Sequence, residues 1–402
     1  MTQDQNNNRP PLDFSNTAVA FAYRKKFDLI KAYNMFYLMK YDWLVKVGTN
    51  VTMKAVESGI VAPFSIAMKP TVYKLFCGGP SLEKSVEKID RLYEYGVQCI
   101  LDYGVEAQEN SQGFEQTEAE IKKAIKFAHE QASVPIVVSK FTGLIRFSIL
   151  EKLHKGVALN EDEKSSFEAS KKIIDSICQL AHDRNVGLFV DAEESWIQQP
   201  LDDLVDEMMA KYNQKTAIVY NTIQLYRKDR LDYLKSAHQK ANAGGYIYAA
   251  KLVRGAYMEK EAKRAKEYGY ESPIQETKTA TDRDYDLAVK YCLTHLNEIS
   301  VCIATHNEDS CLSAVKILEE SRFDRRDSRV FFSQLLGMGD HISFNLAQAG
   351  YNVAKYMPYG PVKEVIPYLV RRAQENTSVA GQMGRELSLL RKEMRRRGLI
   401  VF

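Results

Sequence analysis

Eight short apolar runs, each followed by a longer amphipathic stretch, constrain this chain more than any other feature. The runs cover 97–105, 135–141, 186–193, 217–222, 246–255, 300–306, 330–335 and 352–357. Between them, 116–131, 161–184, 225–243, 282–297 and 309–322 carry apolar residues at helical spacing. Short strands separated by helices imply parallel pairing, and eight of them favour a closed (βα)8 barrel, of the α/β class, over an open sheet.

Six of the runs end in polar or reactive groups: Lys140; Asp191 with Glu193; Asn221 with Gln224; Lys251 with Arg254; Thr305-His306-Asn307; and Tyr356. Catalytic groups in such barrels come from the C-terminal strand ends. Repetition around one rim is therefore the signal, since each end alone has an ordinary explanation. Asp191 suits a base, a partner for arginine or a helix cap. Lys251 suits a Schiff base, a hydrogen bond to a cofactor ring, or a structural pair with a barrel carboxylate. His306 lacks the companion imidazoles a metal site would use, so no metal is expected.

The last strand leads into Tyr356-Met357-Pro358-Tyr359-Gly360-Pro361 and then a helical pattern. Pro361 suits a helix start, and Pro367 strains the helix that follows. At helical spacing Val365, Ile366, Leu369, Val370 and Ala373 form an apolar arc, with Tyr368, Arg371, Arg372 and Glu375 on the other side. Two adjacent guanidinium groups on an anchored helix form a fork for a carboxylate or phosphate, and the aromatic groups just upstream suit a small amphoteric ligand.

The remaining composition narrows the field. With 402 residues and 45% hydrophobic content, the chain has material for one large core or two modest ones. Basic and acidic residues nearly balance, 55 against 52, so no global field calls for nucleic acid. Six cysteines without metal-type or CxxC spacing fit a reducing compartment, with Cys77, beside Gly78 and Gly79, expected to be the exposed one. No apolar run is long enough to span a bilayer. The polar first sixteen residues read as a mobile arm, and the aromatic stripe from Tyr23 to Trp43 as core packing of an N-terminal helical arm. Three segments are expected: a tail and helical arm over 1–84, a barrel over 85–380, and a basic amphipathic helix over 381–402. The last is of the kind that lies on anionic lipid or packs on the barrel. Neither a GxGxxG nor a GxxxxGK[ST] fingerprint occurs, which leaves a Rossmann-type dinucleotide site unsupported.

Taken in order, 99–103, 190–194, 251–257, 304–307, 334–339 and 356–376 resemble the blocks of the proline dehydrogenase family, whose members oxidise L-proline with a flavin. The resemblance runs over 75–378. It implies a distorted TIM barrel with the eighth helix over the mouth and FAD bound there. It implies that Arg371 and Arg372 clamp the substrate carboxylate, with Lys140 adding positive charge and Asp191 holding an arginine. Tyr257, Leu252, Leu335 and Tyr356 would enclose the substrate ring. FAD contacts would fall on Asn221, Gln224, Lys251, Val253, Gly255, Lys278, Thr279, His306, Asn307, Gln334, Glu375 and Thr377. Bifunctional bacterial relatives carry Arg, Lys and Trp where this chain has Lys251, Arg254 and Met258, so the chain resembles the monofunctional, mitochondrial-type branch. Those relatives place the glutamine one step earlier relative to Gly337, so either Gln334 or Ser333 meets the flavin. A phenol at position 356 favours proline over hydroxyproline. The resemblance further implies a quinone as electron acceptor. The expected location is the cytoplasm, with peripheral contact at an inner membrane through the C-terminal helix, or the mitochondrion for a processed eukaryotic chain. The rival readings are a Schiff-base aldolase using Lys251 and a non-catalytic amino-acid binder.

Overall fold

Each apolar run becomes a strand: β1 Gln98–Tyr103, β2 Ile136–Ser139, β3 Gly187–Val190, β4 Val219–Gln224, β5 Tyr248–Val253, β6 Ile299–Ala304, β7 Val330–Leu335 and β8 Val353–Tyr359. In the computed structural model they form a closed parallel barrel in the order β1 to β8. Residues 12–399 are described except 42, 44, 46, 50, 52–71, 105–109 and 379, with side chains of 373–383 excluded. The chain divides into two compact units, Ile100–Phe332 and a second made of both chain ends, Met1–Cys99 with Ser333–Phe402.

Within Ile100–Phe332, β2 and β4 are buried along their whole length, which suits β2 as a short apolar run and obliges the polar Asn221, Thr222 and Gln224 of β4 to find hydrogen-bond partners. Register fixes which side chains share a face. Asn221 pairs with Ala250 and Ile223 with Leu252, whereas Thr222 pairs with Lys251 and Lys251 with Cys302. Lys251 and Leu252 therefore point to opposite sides of β5. Helix Glu161–Arg184 starts and stops where its sequence says it should. The Asn160 side chain accepts from Glu163 N at 2.8 Å, Glu163 Oε2 accepts from Asn160 N at 3.0 Å, and Asn185 ends the helix in the left-handed region.

The unit formed by both chain ends corrects three expectations. The start is not a loose arm as far as it is described: Phe14 is buried and Asn16 caps helix Thr17–Ala20. Cys77 is fully buried, like the other five cysteines. The aromatic stripe splits. Helix Lys26–Met39 turns Leu29, Ala32, Phe36 and Met39 inward, and Tyr23 stacks on Phe344 with centroids 4.4 Å apart. Phe27 and Trp43 lie off that stripe and are 79% and 65% exposed.

Helix Ala380–Arg396 packs against Lys26–Met39 through buried Leu389, Leu390 and Met394. Its apolar side is occupied, so what remains outward is a basic face, with Arg391 donating to Tyr33 Oη at 3.0 Å and Lys392 to Ser15 O at 2.7 Å. Among the described residues no helix is long and apolar enough to cross a membrane.

A buried carboxylate ties this unit together. Asp340 accepts from Tyr23 Oη at 2.8 Å and from two Arg24 nitrogens, and pairs with Lys355 Nζ at 3.0 Å. Burial pushes its carboxyl up, but Lys355 and Arg24 outweigh that and hold it well below the usual carboxylate range. Asp340→Asn leaves two buried cations without their anion and should destabilise the protein by about 3–5 kcal/mol, read by urea or thermal melting.

Candidate functional site

Ionic pairs mark the strand ends of Ile100–Phe332. Lys140, directly after β2, donates to both oxygens of Asp102 on β1 at 3.2 Å, and both side chains are buried. Asp191, directly after β3, pairs with Lys251 of β5, whose ammonium also lies 5.4 Å from the centroid of Phe189. This is the structural pairing that sequence reading left beside the Schiff-base and cofactor roles of Lys251.

One turn further along, the Thr142 hydroxyl lies 2.8 Å from both carboxyl oxygens of Glu193. The Glu193 backbone N donates to Gln198 Oε1 at 2.8 Å, and Gln224 Nε2 donates to Glu193 O at 2.7 Å. Burial pushes the Glu193 carboxyl up to about 8; Glu194 adds to the shift, and Thr142 and Lys140 oppose it. Gln224 thus joins the ends of β3 and β4, with its Oε1 3.4 Å from Ala256 N beyond β5.

The β5 to β6 side carries a second cationic group. Arg254 donates through Nε to Asp282 at 2.6 Å, through Nη1 to Thr305 Oγ1 at 2.7 Å and through Nη2 to Ser310 Oγ at 3.1 Å, and stacks 4.2 Å from the ring centroid of Tyr285. Lys278 pairs with the same Asp282 at the start of helix Lys278–Thr294, where Thr279 is exposed. Gly255 has φ +142°, and a Cβ there would lie 2.4 Å from the Tyr226 ring, so backbone without a side chain is required. Val253, Tyr257 and His306 are half-exposed beside it. Asn307 Oδ1 accepts from Asp309 N at 2.9 Å and Ser310 N at 3.1 Å, capping the next helix.

Two expected ligand contacts from this unit face the other way. Asn221 Nδ2 donates to Asp202 Oδ1 at 3.0 Å and to Tyr233 Oη at 3.1 Å, both on surrounding helices. Leu252 shares that face through the Asn221 and Ile223 register and is fully buried. The strand alternation that brings Lys251 inward sends these two outward, so neither lines a ligand cavity inside the barrel.

In the unit formed by both chain ends, helix Val362–Ser378 begins right after Pro361 and runs through Pro367. Both sides of it are covered: Tyr368 and Arg372 are buried, at 5% and 8% exposure, and Arg371 is half-buried. The Arg372 guanidinium lies 5.3 Å from the Tyr368 ring centroid. Glu375 and Thr377 lie among side chains outside the described set. On β8, Lys355 reaches Asp340, so Tyr356, buried at 8%, points to the opposite side. Gln334 Oε1 accepts from Ser343 Oγ at 2.7 Å on helix Asp340–Gln348, which directs Gln334 to the helices and puts Ser333 and Leu335 on the other face. Of the two residues considered for the flavin, Ser333 has the inward position. Gly337 (φ +83°) would place a Cβ 2.6 Å from Leu75 O.

Sequence reading gave no role to Asp102, although a charge inside Leu101-Asp102-Tyr103 signals a buried partner. The Glu193–Thr142 bond had no sequence signal, since the two are brought together only by the β2 and β3 loops. Among the described residues no cluster of three or more His, Cys, Asp or Glu side chains suits a metal. Because Glu193 is neutral in the folded protein where the unfolded chain ionises it, near pH 4.3, stability should fall as pH rises from about 5 to 8, by about 3–5 kcal/mol. Urea melts across that range should show the slope in the wild type and lose it in Glu193→Gln.

A family profile described as Proline dehydrogenase matches residues 85–385. Over 98% of its length the chain is 30% identical to Proline dehydrogenase 1, mitochondrial, of Dictyostelium discoideum, spanning 76% of that protein. Over 96% it is 32% identical to Hydroxyproline dehydrogenase of Xenopus laevis, spanning 90%. Among solved structures, proline utilization A (PutA) from Bdellovibrio bacteriovorus matches 90% of the chain with a TM-score of 0.70 at 18% identity, a likeness of fold. The chain spans 38% of that larger protein. With the family match covering most of its length and the barrel in place, this chain belongs to the proline dehydrogenase family.

Proposed function

We propose that the chain oxidises L-proline to 1-pyrroline-5-carboxylate, with FAD as its cofactor and a quinone as the final electron acceptor. The observation that carries this reading is the arginine pair on helix Val362–Ser378 of a proline dehydrogenase family member, with Arg372 only 8% exposed. A guanidinium drawn out of water in this way suits a carboxylate rather than solvent.

The residues beyond β5 fit an anionic dinucleotide. Arg254 and Lys278 supply cationic groups, Gly255 offers bare backbone, and the start of helix Lys278–Thr294 adds the positive end of its dipole. Val253, Thr279 and His306 extend that set, with Lys251 oriented by Asp191. FAD, when bound, supplies the two-electron acceptor for the hydride from C5 of the ring.

The chain's own residues bind and orient the substrate. In the unit formed by both chain ends, Arg371 and Arg372 hold the carboxylate, and Leu335 and Tyr356 flank the ring. Fixing the ring in this way makes hydride loss an oriented event rather than a collision. The amine must be neutral when the hydride leaves, and its proton passes to Asp191 or to water. The buried phenol of Tyr356 leaves little space for a ring hydroxyl, which supports proline as the preferred substrate over the hydroxyproline named for the Xenopus relative.

Arg372→Met should weaken proline binding by tens of fold or more, about 2–5 kcal/mol, while the purified protein keeps its flavin absorption; unchanged proline kinetics would refute the clamp. Anaerobic addition of proline should bleach the flavin band, and a protein that binds proline without bleaching would be a sensor rather than an enzyme. Tyr356→Ser should raise the hydroxyproline-to-proline ratio of kcat/KM by about tenfold or more.

A further inference from the structure

The unit formed by both chain ends contains a cavity of about 430 Å³ that shares no residue with the proposed proline and flavin contacts. Helix Lys26–Met39, helix Val86–Tyr93, the turn at Lys74 and Leu75, and Leu336 after β7 line it. Its walls are mostly apolar, with Met35, Leu38, Leu75, Leu92 and Leu336 among them. The space opens to solvent on the side of Lys31, Asn34 and Leu38, and holds on the order of a dozen non-hydrogen atoms.

The polar part of the lining is strongly one-sided. Among the described lining residues, Lys31, Lys74, Lys88, Arg24 and Arg91 stand against one carboxylate, Asp28, which lies 3.6 Å from Arg91. Arg24 is satisfied by Asp340. Lys88 is the notable case. Its ammonium donates to Lys74 O at 2.8 Å and Cys77 O at 2.6 Å, and among the described residues no carboxylate pairs with it. Two carbonyls use two of its three N–H donors and cancel none of its charge. Burial pushes this ammonium down to about 8, the direction expected of a cation lacking a counter-charge.

We propose that this cavity binds one small amphiphilic anion, with a carboxylate or phosphate head against Lys88 and Arg91 and an aliphatic body of about ten carbons between Met35, Leu38 and Leu92. The apolar walls remove the tail from water, and the head completes the charge balance of Lys88. Fatty-acid-like carboxylates and lipid-derived phosphates share this chemistry.

Titration calorimetry on the full-length protein tests the proposal with decanoate, decyl phosphate and decanol. Decanoate or decyl phosphate should bind with one site per chain, and decanol, which has the tail without the charge, should bind at least about tenfold more weakly. The tighter of the two anions identifies the head group. Lys88→Met, which keeps the stem and removes the charge, should weaken anion binding by about tenfold. Met35→Glu, which puts a carboxylate in the wall, should abolish it, with circular dichroism checking that each variant folds. Absence of binding by both anions overturns the proposal, as does decanol binding as tightly as decanoate, or anion affinity unmoved by both substitutions. Should Lys88→Met fail to fold, the decanol comparison and Met35→Glu decide.

Discussion

A cation inside a parallel barrel needs an anion within reach, because burial removes the water that would otherwise solvate it. Lys251 and Asp191 meet this constraint across the ends of β5 and β3, and Lys140 and Asp102 meet it across β2 and β1. Arg254 repeats the pattern with Asp282, adding two hydroxyls and an aromatic face. Three basic groups are thereby held at fixed positions, Lys140 at the end of β2 and Lys251 and Arg254 at the end of β5. Side chains locked by such pairs keep their geometry when a ligand arrives, which is what oriented chemistry demands.

The same physics operates in the other unit, where Asp340 gathers Tyr23, Arg24 and Lys355. Here the result is structural: a residue near the start of the chain is fastened to the segment around β8. The C-terminal helix closes over it, with Glu393 taking Arg396 and Arg397, while Arg397 also donates to Phe21 O and Arg24 O.

Strand periodicity made the barrel legible, because runs buried on both faces cannot hide in a sequence. All eight strands lie within a few residues of their expected bounds, and the capping residues of Glu161–Arg184 set that helix correctly. What the sequence could not show was the direction of each side chain within a run that is apolar throughout. Asn221, Leu252 and Gln334 were expected at ligands, yet register and alternation turn them toward the helices. The aromatic stripe misled for a related reason, since aromatic content alone does not say which side of a helix is covered. Ion pairs such as Lys140–Asp102 join residues far apart in sequence, and only the closed sheet brings them together.

The second unit is assembled from the two extremities of the polypeptide, with the other unit's sequence lying wholly between them. On a ribosome, the early helices would emerge long before residues 333–402 exist to cover Leu29, Phe36 and Met39. Until residues 333–402 have been made, the inner face of helix Lys26–Met39 therefore lacks part of the surface that covers it in the folded unit.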